Sequence, residues 1–594
     1  MTPEAKVENL KFGVTIFRLN SLDFWQDRLS KEATSLGFKT IQRGATLTIW
    51  REDEVRELFY GWKFVRAWKV SRESYGKGQS GLGVKSVRLY FQRASKIPTS
   101  LPENVLSRVR YKVPERPEER IIHAKGFGRV FSSNMNGMSV EPLQFVTKTG
   151  LLGATKLVCG KRKSKVDLVQ KHGDVIGRNG FLKVPFDFEI ILVSENEADP
   201  ISDEYAGMLA STLEKFGEKG NVRRTSFKNL SKDLSSKSFS PDKYSGKTVL
   251  VALSGQKGDG LLDSEKGLLS DLEKNGIGFR MFSRLNRQLR FSCFNQVSDL
   301  VFVAGGTSYE LELPWPRHLR ENPFLLGVDL GHPLNGNSVL SVTLCDSAGN
   351  LIKGWRCDQS RDETARPEAL ERLLGFVKFE MKKMTGKSNN PVLVLRDGRL
   401  HSGESISTYR SHLSSNLSFC DLSKRPNIHA FDENGSLPCS GTAYFPKSSA
   451  TAYFISSPPA FSGQLTNLQK VHFPKSWDGL GIGLESLVDI LIGLSYSPCL
   501  GLKPHRSPGP IHWADGFASI SEKDCRFRGL GGADSNKKTV KLTSFRKPRT
   551  KISGEGVMVF LGASGRSTGV EGWEDPYRPS CQALLPKRGK VSQR

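Results

Sequence analysis

Two apolar runs in this chain each close on an aspartate: FLLGVD ends at Asp329 and VLVLRD at Asp397. A carboxylate at the carboxyl end of a strand projects into the crevice where open α/β sheets place their ligands. Two such groups side by side repel, because like charges a few ångströms apart do not both stay ionised cheaply, and a divalent cation removes that penalty. Hard oxygen donors without a His or Cys cluster beside them favour Mg²⁺ or Mn²⁺. On spacing alone this chemistry competes with a plainer reading in which each aspartate is a turn residue at the end of its strand.

The elements around the pair are the ones that would have to position it. After Asp329 come VLSVTLC and NLIKGW around a Ser-Ala-Gly-Asn turn, which predicts a hairpin. A helix follows with Pro367 in its first turn, and Leu370, Leu373, Leu374, Val377, Met381 and Met384 share one apolar face. Strand, hairpin, helix and strand is the order in which ribonuclease-H-like folds begin, and there carboxylates hold two cations for hydrolysis. Upstream, from Glu189 to Gly306, strand runs such as EIILV, TVLVAL and GFRMFS alternate with helical patterns such as SDEYAGMLASTLEKF. That alternation predicts βαβ crossovers and a mainly parallel sheet.

Outside these two regions the chain is less explicit. Residues 1–95 read as a small α+β domain. Its Trp25, Trp50, Trp62 and Trp68, interleaved with Lys63, Arg66 and Lys69, suit a packed core before they suit a surface that stacks on bases. Four prolines between Lys96 and Arg120 mark a connector. Residues 526–594 are Gly-rich and basic without a sustained period, and are expected to be disordered or to hold nucleic acid.

Composition narrows the partners. Lys and Arg number 87 against 61 Asp and Glu, a formal net charge of +26, and 37% of residues are hydrophobic. Wholesale disorder is excluded, and a basic excess of that size on a folded chain favours a polyanion, because each neutralised phosphate releases a counterion. A basic surface serving solubility is the bland alternative. The 594 residues suggest about four domains. Nine cysteines without a CxxC pair encode neither a disulfide framework nor a zinc cluster. MTPEAKVENLKFG lacks a basic segment followed by an apolar run, and no apolar stretch reaches a membrane-spanning length, so the expectation is a soluble, cytoplasmic protein; a monomer is expected as well.

Three motifs then stand in order: GVDLGH (327–332), VLRDGR (394–399) and PIHWADGFA (510–518). Through them the chain resembles the prokaryotic Argonaute family, and its PIWI nuclease domain in particular. TGLLGATKLVCG, GFLKVPFDFEI and LVDILIGLSYSPCLGL extend the similarity, less sharply, over about 140–525. The resemblance implies a multidomain α/β protein: an amino-terminal α+β domain (1–95), a linker region with the PAZ domain absent or reduced (96–188), a Rossmann-like MID domain (189–308), a ribonuclease-H-like PIWI domain (309–525) and the basic tail (526–594).

The resemblance also implies a site. Asp329, Asp397 and Asp515 would hold two Mg²⁺ or Mn²⁺ ions together with Glu363, which precedes the helix at Pro367; Glu368 and Glu371 are its rivals. His332, His401 and His512 are expected to be structural neighbours of the motifs. Lys274, Arg284, Arg287, Gln288 and Arg290 are candidates for binding a guide's 5′-phosphate, although VSDLVFVAGG places Asp299 where many relatives carry lysines. The implied activity is guide-directed cleavage of a complementary DNA or RNA strand, in defence against foreign DNA. A catalytically silent guide binder that recruits an effector, and an unguided nuclease, are the alternatives.

Overall fold

The computed structural model describes residues 9–546 apart from intervening segments, chiefly 93–97, 102–115 (Val105 and Val109 excepted), 254–261, 284–288, 332–337, 360–363, 401–403, 458–467, 498–503 and 520–541. The chain forms two compact units, Met1–Leu151 with Ser423–Pro474, and Leu152–Leu422 with Lys475–Arg594. Residues 423–474 therefore leave the 309–525 stretch to pack with the amino-terminal residues, a long-range excursion that no local pattern announces.

In the first unit, a long hairpin of strands Trp62–Gly76 and Gln79–Gln92 anchors an antiparallel sheet. Helices Trp25–Ser35 and Pro117–Phe131 contribute to the core against it. Trp68 stands 5.7 and 5.8 Å from the Phe127 and Phe131 rings, and its indole N–H donates to the His123 carbonyl at 2.7 Å. Trp25, Trp50, Trp62 and Trp68 are all buried, so the tryptophans serve the core. The helix Pro117–Phe131 starts inside the stretch that reads as a connector, because its Pro occupies the first turn, where no N–H is needed. In a further antiparallel sheet of this unit, Asn9–Val14 lies between Ala430–Asp432 and Gln144–Lys148.

The second unit opens with a short antiparallel sheet in which Lys156–Cys159 lies between Ser164–Asp167 and Tyr309–Glu312. It then forms a parallel four-stranded sheet from β1 (Glu189–Ser194), β2 (Val222–Ser226), β3 (Lys247–Leu253) and β4 (Phe279–Ser283), in the order β2-β1-β3-β4. Helices α1 (Pro200–Lys215), α2 (Asp263–Lys274) and α3 (Leu289–Val303) alternate with the strands. Asp199 caps α1 by accepting from the Ser202 N–H at 3.2 Å, and Pro200 fills the first turn.

A third sheet of this unit carries the aspartates. Its strands are β5 (Phe324–Gly331), β6 (Ser338–Cys345), β7 (Leu351–Gln359), β8 (Val392–Asp397), β9 (Leu417–Ser423) and β10 (Leu542–Arg546), and helix α4 (Pro367–Thr385) connects β7 to β8. The order is β9-β8-β5-β6-β7-β10. β5 runs parallel to β8, β8 parallel to β9, and the β5-β6-β7 meander is antiparallel. Period two divides β5 between two faces. Leu326, Val328 and Leu330 join Leu370, Leu373, Leu374 and Val377 of α4 in one apolar cluster, while Gly327 and Gly331 face α5 (Gly509–Ser519) on the other side. Within the carboxy-terminal basic run, Leu542–Arg546 forms β10, which pairs antiparallel with β7 along its outer edge. Among the described residues, no helix is long and apolar enough to cross a membrane.

Candidate metal centre

Three remote segments meet at the carboxyl ends of β5 and β8. Val328 pairs with Arg396 in the parallel register, so Asp329 and Asp397, one residue further along each strand, stand side by side. The third arrival is Asp515 on α5: one carboxylate oxygen from each of Asp329, Asp397 and Asp515 lies within 4.8 Å of the others. Asp329 is buried and the other two are partly exposed, which leaves the cluster an open side. Asp329 Oδ1 accepts the Leu330 N–H at 2.9 Å, so that one of its oxygens is oriented by its own strand.

Three negative charges at this separation are unfavourable unless protons or a cation compensate them. All three donors are hard oxygens, and among the described residues no other acidic, His or Cys side chain joins the group. The set therefore fits Mg²⁺ or Mn²⁺ rather than a soft metal.

Behind Asp397, Arg396 points to the opposite face of β8. Its Nε and Nη2 donate to Glu404 at 3.1 and 2.9 Å, and its Nη1 donates to the Asp397 carbonyl. Burial is the largest single influence and opposes the guanidinium charge, but the hydrogen bonds and negative charge of Glu404, joined by Tyr409 and Asp329, together outweigh it and hold the Arg396 pKa above the ordinary arginine range. Glu404 also accepts the Ala365 N–H at 3.3 Å, and Gln359 brackets the same stretch, donating to the Thr364 carbonyl at 2.6 Å and accepting from the Arg366 N–H at 3.0 Å. In the next strand, burial pushes the Asp421 carboxyl up to about 6, against the Leu400 N–H that it accepts at 3.0 Å.

Of the remaining sequence-predicted residues, Glu363 lies outside the described residues, as do His332 and His401. Glu368 is exposed on the first turn of α4, and Glu371 pairs with His412 at 3.7 Å; neither belongs to the carboxylate cluster. His512 is buried on α5, with its ring 4.3 Å from that of His505. Lys274 ends α2 and Arg290 stands in the first turn of α3, but their side chains, and residues Arg284, Arg287 and Gln288, fall outside the described part of the structure. Asp299 faces the interior of its domain: it is buried, 3.9 Å from Arg280 on β4, and burial raises its pKa to about 6. The acidic departure from the expected lysine pattern is thus a core ion pair.

Reasoning from sequence missed Glu404, Gln359 and the glycines that admit α5. A Cβ on Gly327 would stand 2.1 Å from the Pro510 carbonyl oxygen, and one on Gly354 2.1 Å from the Phe517 ring. The available signal was the placement of small residues inside otherwise apolar strands.

A parallel four-stranded domain joined to a mixed sheet with a carboxylate cluster at its strand ends defines a multidomain α/β protein of ribonuclease-H-like design. No protein-family model and no curated protein matches the sequence. Solved structures do match. Drosophila Piwi superposes with a TM-score of 0.62 at 10% identity over 84% of this chain and 82% of its own. Kluyveromyces polysporus Argonaute with a guide RNA gives 0.61 at 12% identity over 84% and 78%. Clostridium butyricum Argonaute bound to a guide DNA and a 19-mer target DNA gives 0.59 at 12% identity over 84% and 86%. The chain has the Argonaute fold.

Proposed function

We propose that this protein loads a short nucleic-acid guide and cleaves a strand complementary to it, at a centre formed by Asp329, Asp397 and Asp515. The observation that carries the reading is the convergence of those carboxylates, from two parallel strands and a distant helix, to within 4.8 Å. Folding brings mutually repelling groups together at the partly open carboxyl ends of two central strands, and a cation site explains the arrangement where a packing role does not. Similar structures hold a guide RNA, or a guide DNA with a target DNA, and the +26 net charge suits such polyanions.

Asp329, Asp397 and Asp515 would hold the divalent cations, with Glu363 as the fourth acidic group. When bound, Mg²⁺ or Mn²⁺ supplies activation of the attacking water and neutralises charge on the leaving 3′-oxygen. The chain's own contribution is positional. The Leu330 N–H orients the Asp329 carboxylate, and the Arg396–Glu404 pair holds the end of β8 against the stretch leading into α4. Products are a 5′-phosphate and a 3′-hydroxyl. Lys274, Arg284, Arg287, Gln288 and Arg290, around the ends of α2 and α3, are assigned to the guide's 5′ end, where helix amino termini favour anions. The biological role proposed is defence against foreign DNA.

The test is a labelled target incubated with guide-loaded protein and Mn²⁺, wild type beside Asp397→Ala. A product that needs both Mn²⁺ and a complementary guide, and that disappears in the variant, is expected. Guide retention without any product favours a silent guide binder instead, and cleavage indifferent to guide sequence favours an unguided nuclease.

A further inference from the structure

We propose that Ser341 and Thr343 are positioning residues whose hydroxyls set the register of helix α5 on the sheet and so deliver Asp515 to the other two aspartates. The inference deepens the cation-site reading and rests on it.

Ser341 and Thr343 lie inside β6, a strand buried along its whole length, where hydroxyls are costly unless they are hydrogen-bonded. Both use the carbonyls of α5. Ser341 Oγ donates to the Ala514 carbonyl at 2.6 Å, and Thr343 Oγ1 to the Pro510 carbonyl at 2.8 Å. Ser341 Oγ is also 3.3 Å from the Asp329 carbonyl. One hydroxyl therefore lies between the backbone of Asp329 and that of the residue preceding Asp515.

The spacings match. Two residues along a strand advance about 6.6 Å, and four along a helix about 6.0 Å, so hydroxyls at 341 and 343 meet carbonyls at 514 and 510 with little drift. Cross-strand register extends the match into two rows. Gly327, Thr343 and Gly354 form one, and Asp329, Ser341 and Arg356 the other. In the first row the glycines at 327 and 354 permit close approach of Pro510 and Phe517, while Gly331, two residues beyond Asp329, meets Ala518. Apolar contacts alone tolerate small rotations of a helix, whereas two directional hydrogen bonds one helical turn apart do not. A slip of one residue turns the helix by about 100° and swings Asp515 away from the cluster.

The experiment compares the full-length wild type with Ser341→Ala, Thr343→Val, the double variant and Thr343→Ser, which keeps the hydroxyl. Mn²⁺ titration reads affinity, and hydrogen exchange on the metal-free protein reads protection of the peptide spanning α5. Guide binding and thermal unfolding serve as checks on the fold. Partners behind metal ligands commonly account for 10–100-fold in affinity, so the double variant is expected to bind Mn²⁺ about 10-fold or more weakly. Faster exchange in α5 and unchanged guide binding should accompany that loss, with Thr343→Ser close to wild type. Mn²⁺ affinity unchanged in the double variant overturns the proposal whatever the exchange shows. If the double variant does not fold, the near-isosteric Thr343→Val decides alone by the same criterion. A wild type that binds no Mn²⁺ refutes the underlying cation reading, and does so before any variant is compared.

Discussion

Arg396 and Glu404 form a two-pronged ion pair, at 3.1 and 2.9 Å, whose side chains are 4% and 0% exposed. A buried pair of this kind is worth little relative to an apolar pair of the same shape, yet breaking it is costly because one charge remains uncompensated. Glu404→Gln is therefore expected to lower unfolding stability by about 3–5 kcal/mol. Replacing both residues by Met and Leu should cost much less than the single change. Urea unfolding of Arg396→Met, Glu404→Leu and the variant carrying both, read as a double-mutant cycle, checks this; additive losses would contradict it.

The carboxylate cluster makes a second prediction, with opposite signs in the two metal states. Without divalent ions, Asp397→Asn removes one of three like charges and should raise the melting temperature. With Mn²⁺ at about 100 times its Kd, the wild type should gain about 2.7 kcal/mol, a gain the variant lacks. Thermal unfolding of both proteins with EDTA and with Mn²⁺ reads the two effects separately. A wild type indifferent to Mn²⁺ would remove the basis for a cation site.

How much of this was legible beforehand depends on the range of the interaction. Asp329 and Asp397 could be read from spacing because each closes an apolar run of sequence, which is a local pattern, although the strand itself continues past Asp329 to Gly331. Asp515 could not, since it lies on a helix with nothing in its own periodicity to point at a sheet; only the motif resemblance connected it to the others. Asp299 reads in sequence as a defect in an anion site, yet its partner Arg280 lies 19 residues earlier (299 − 280), on a strand whose facing residues no linear pattern reveals. Glu404, eight residues after Arg396, reads as an ordinary loop acid until the loop is seen to fold back. The strand Leu542–Arg546 was hidden for the same reason, because an edge strand takes its pairing from a distant neighbour, Leu351–Gln359.

Asp421 yields a pH prediction. Burial lifts its folded pKa to about 6, above the ordinary value of about 3.9. The folded state therefore binds more protons than the unfolded state between those values, and this group's contribution to stability falls as pH rises through that window. Above pH 6 the ionised carboxylate is a standing penalty; below about pH 4 it has gone. Asp421→Asn keeps an acceptor for the Leu400 N–H and leaves the Arg396–Glu404 pair intact. It should stabilise the protein by about 1–3 kcal/mol at pH 7.5, with the gain shrinking to nothing near pH 4. Unfolding curves for both proteins across that range would expose a gain that is flat or reversed.

Two glycines take the same substitution with opposite results. Gly375 lies in the middle of α4 with open space where a Cβ would go, so Gly375→Ala should stabilise by about 0.5–1 kcal/mol through helix propensity. Gly327 faces α5, and a Cβ there would meet the backbone carbonyl of Pro510 at 2.1 Å, with the Thr343 hydroxyl at 2.7 Å. Backbone has no rotamer with which to give way, so the helix must lift from the sheet at an expected cost of about 1–3 kcal/mol or more. Because Asp515 rides on that helix, Gly327→Ala should also lose Mn²⁺ stabilisation, while Gly375→Ala retains it. Melting temperatures of the two variants with and without Mn²⁺ separate the effects. A Gly327→Ala protein as stable and as responsive to Mn²⁺ as wild type would mean that α5 does not seat against β5 at this distance.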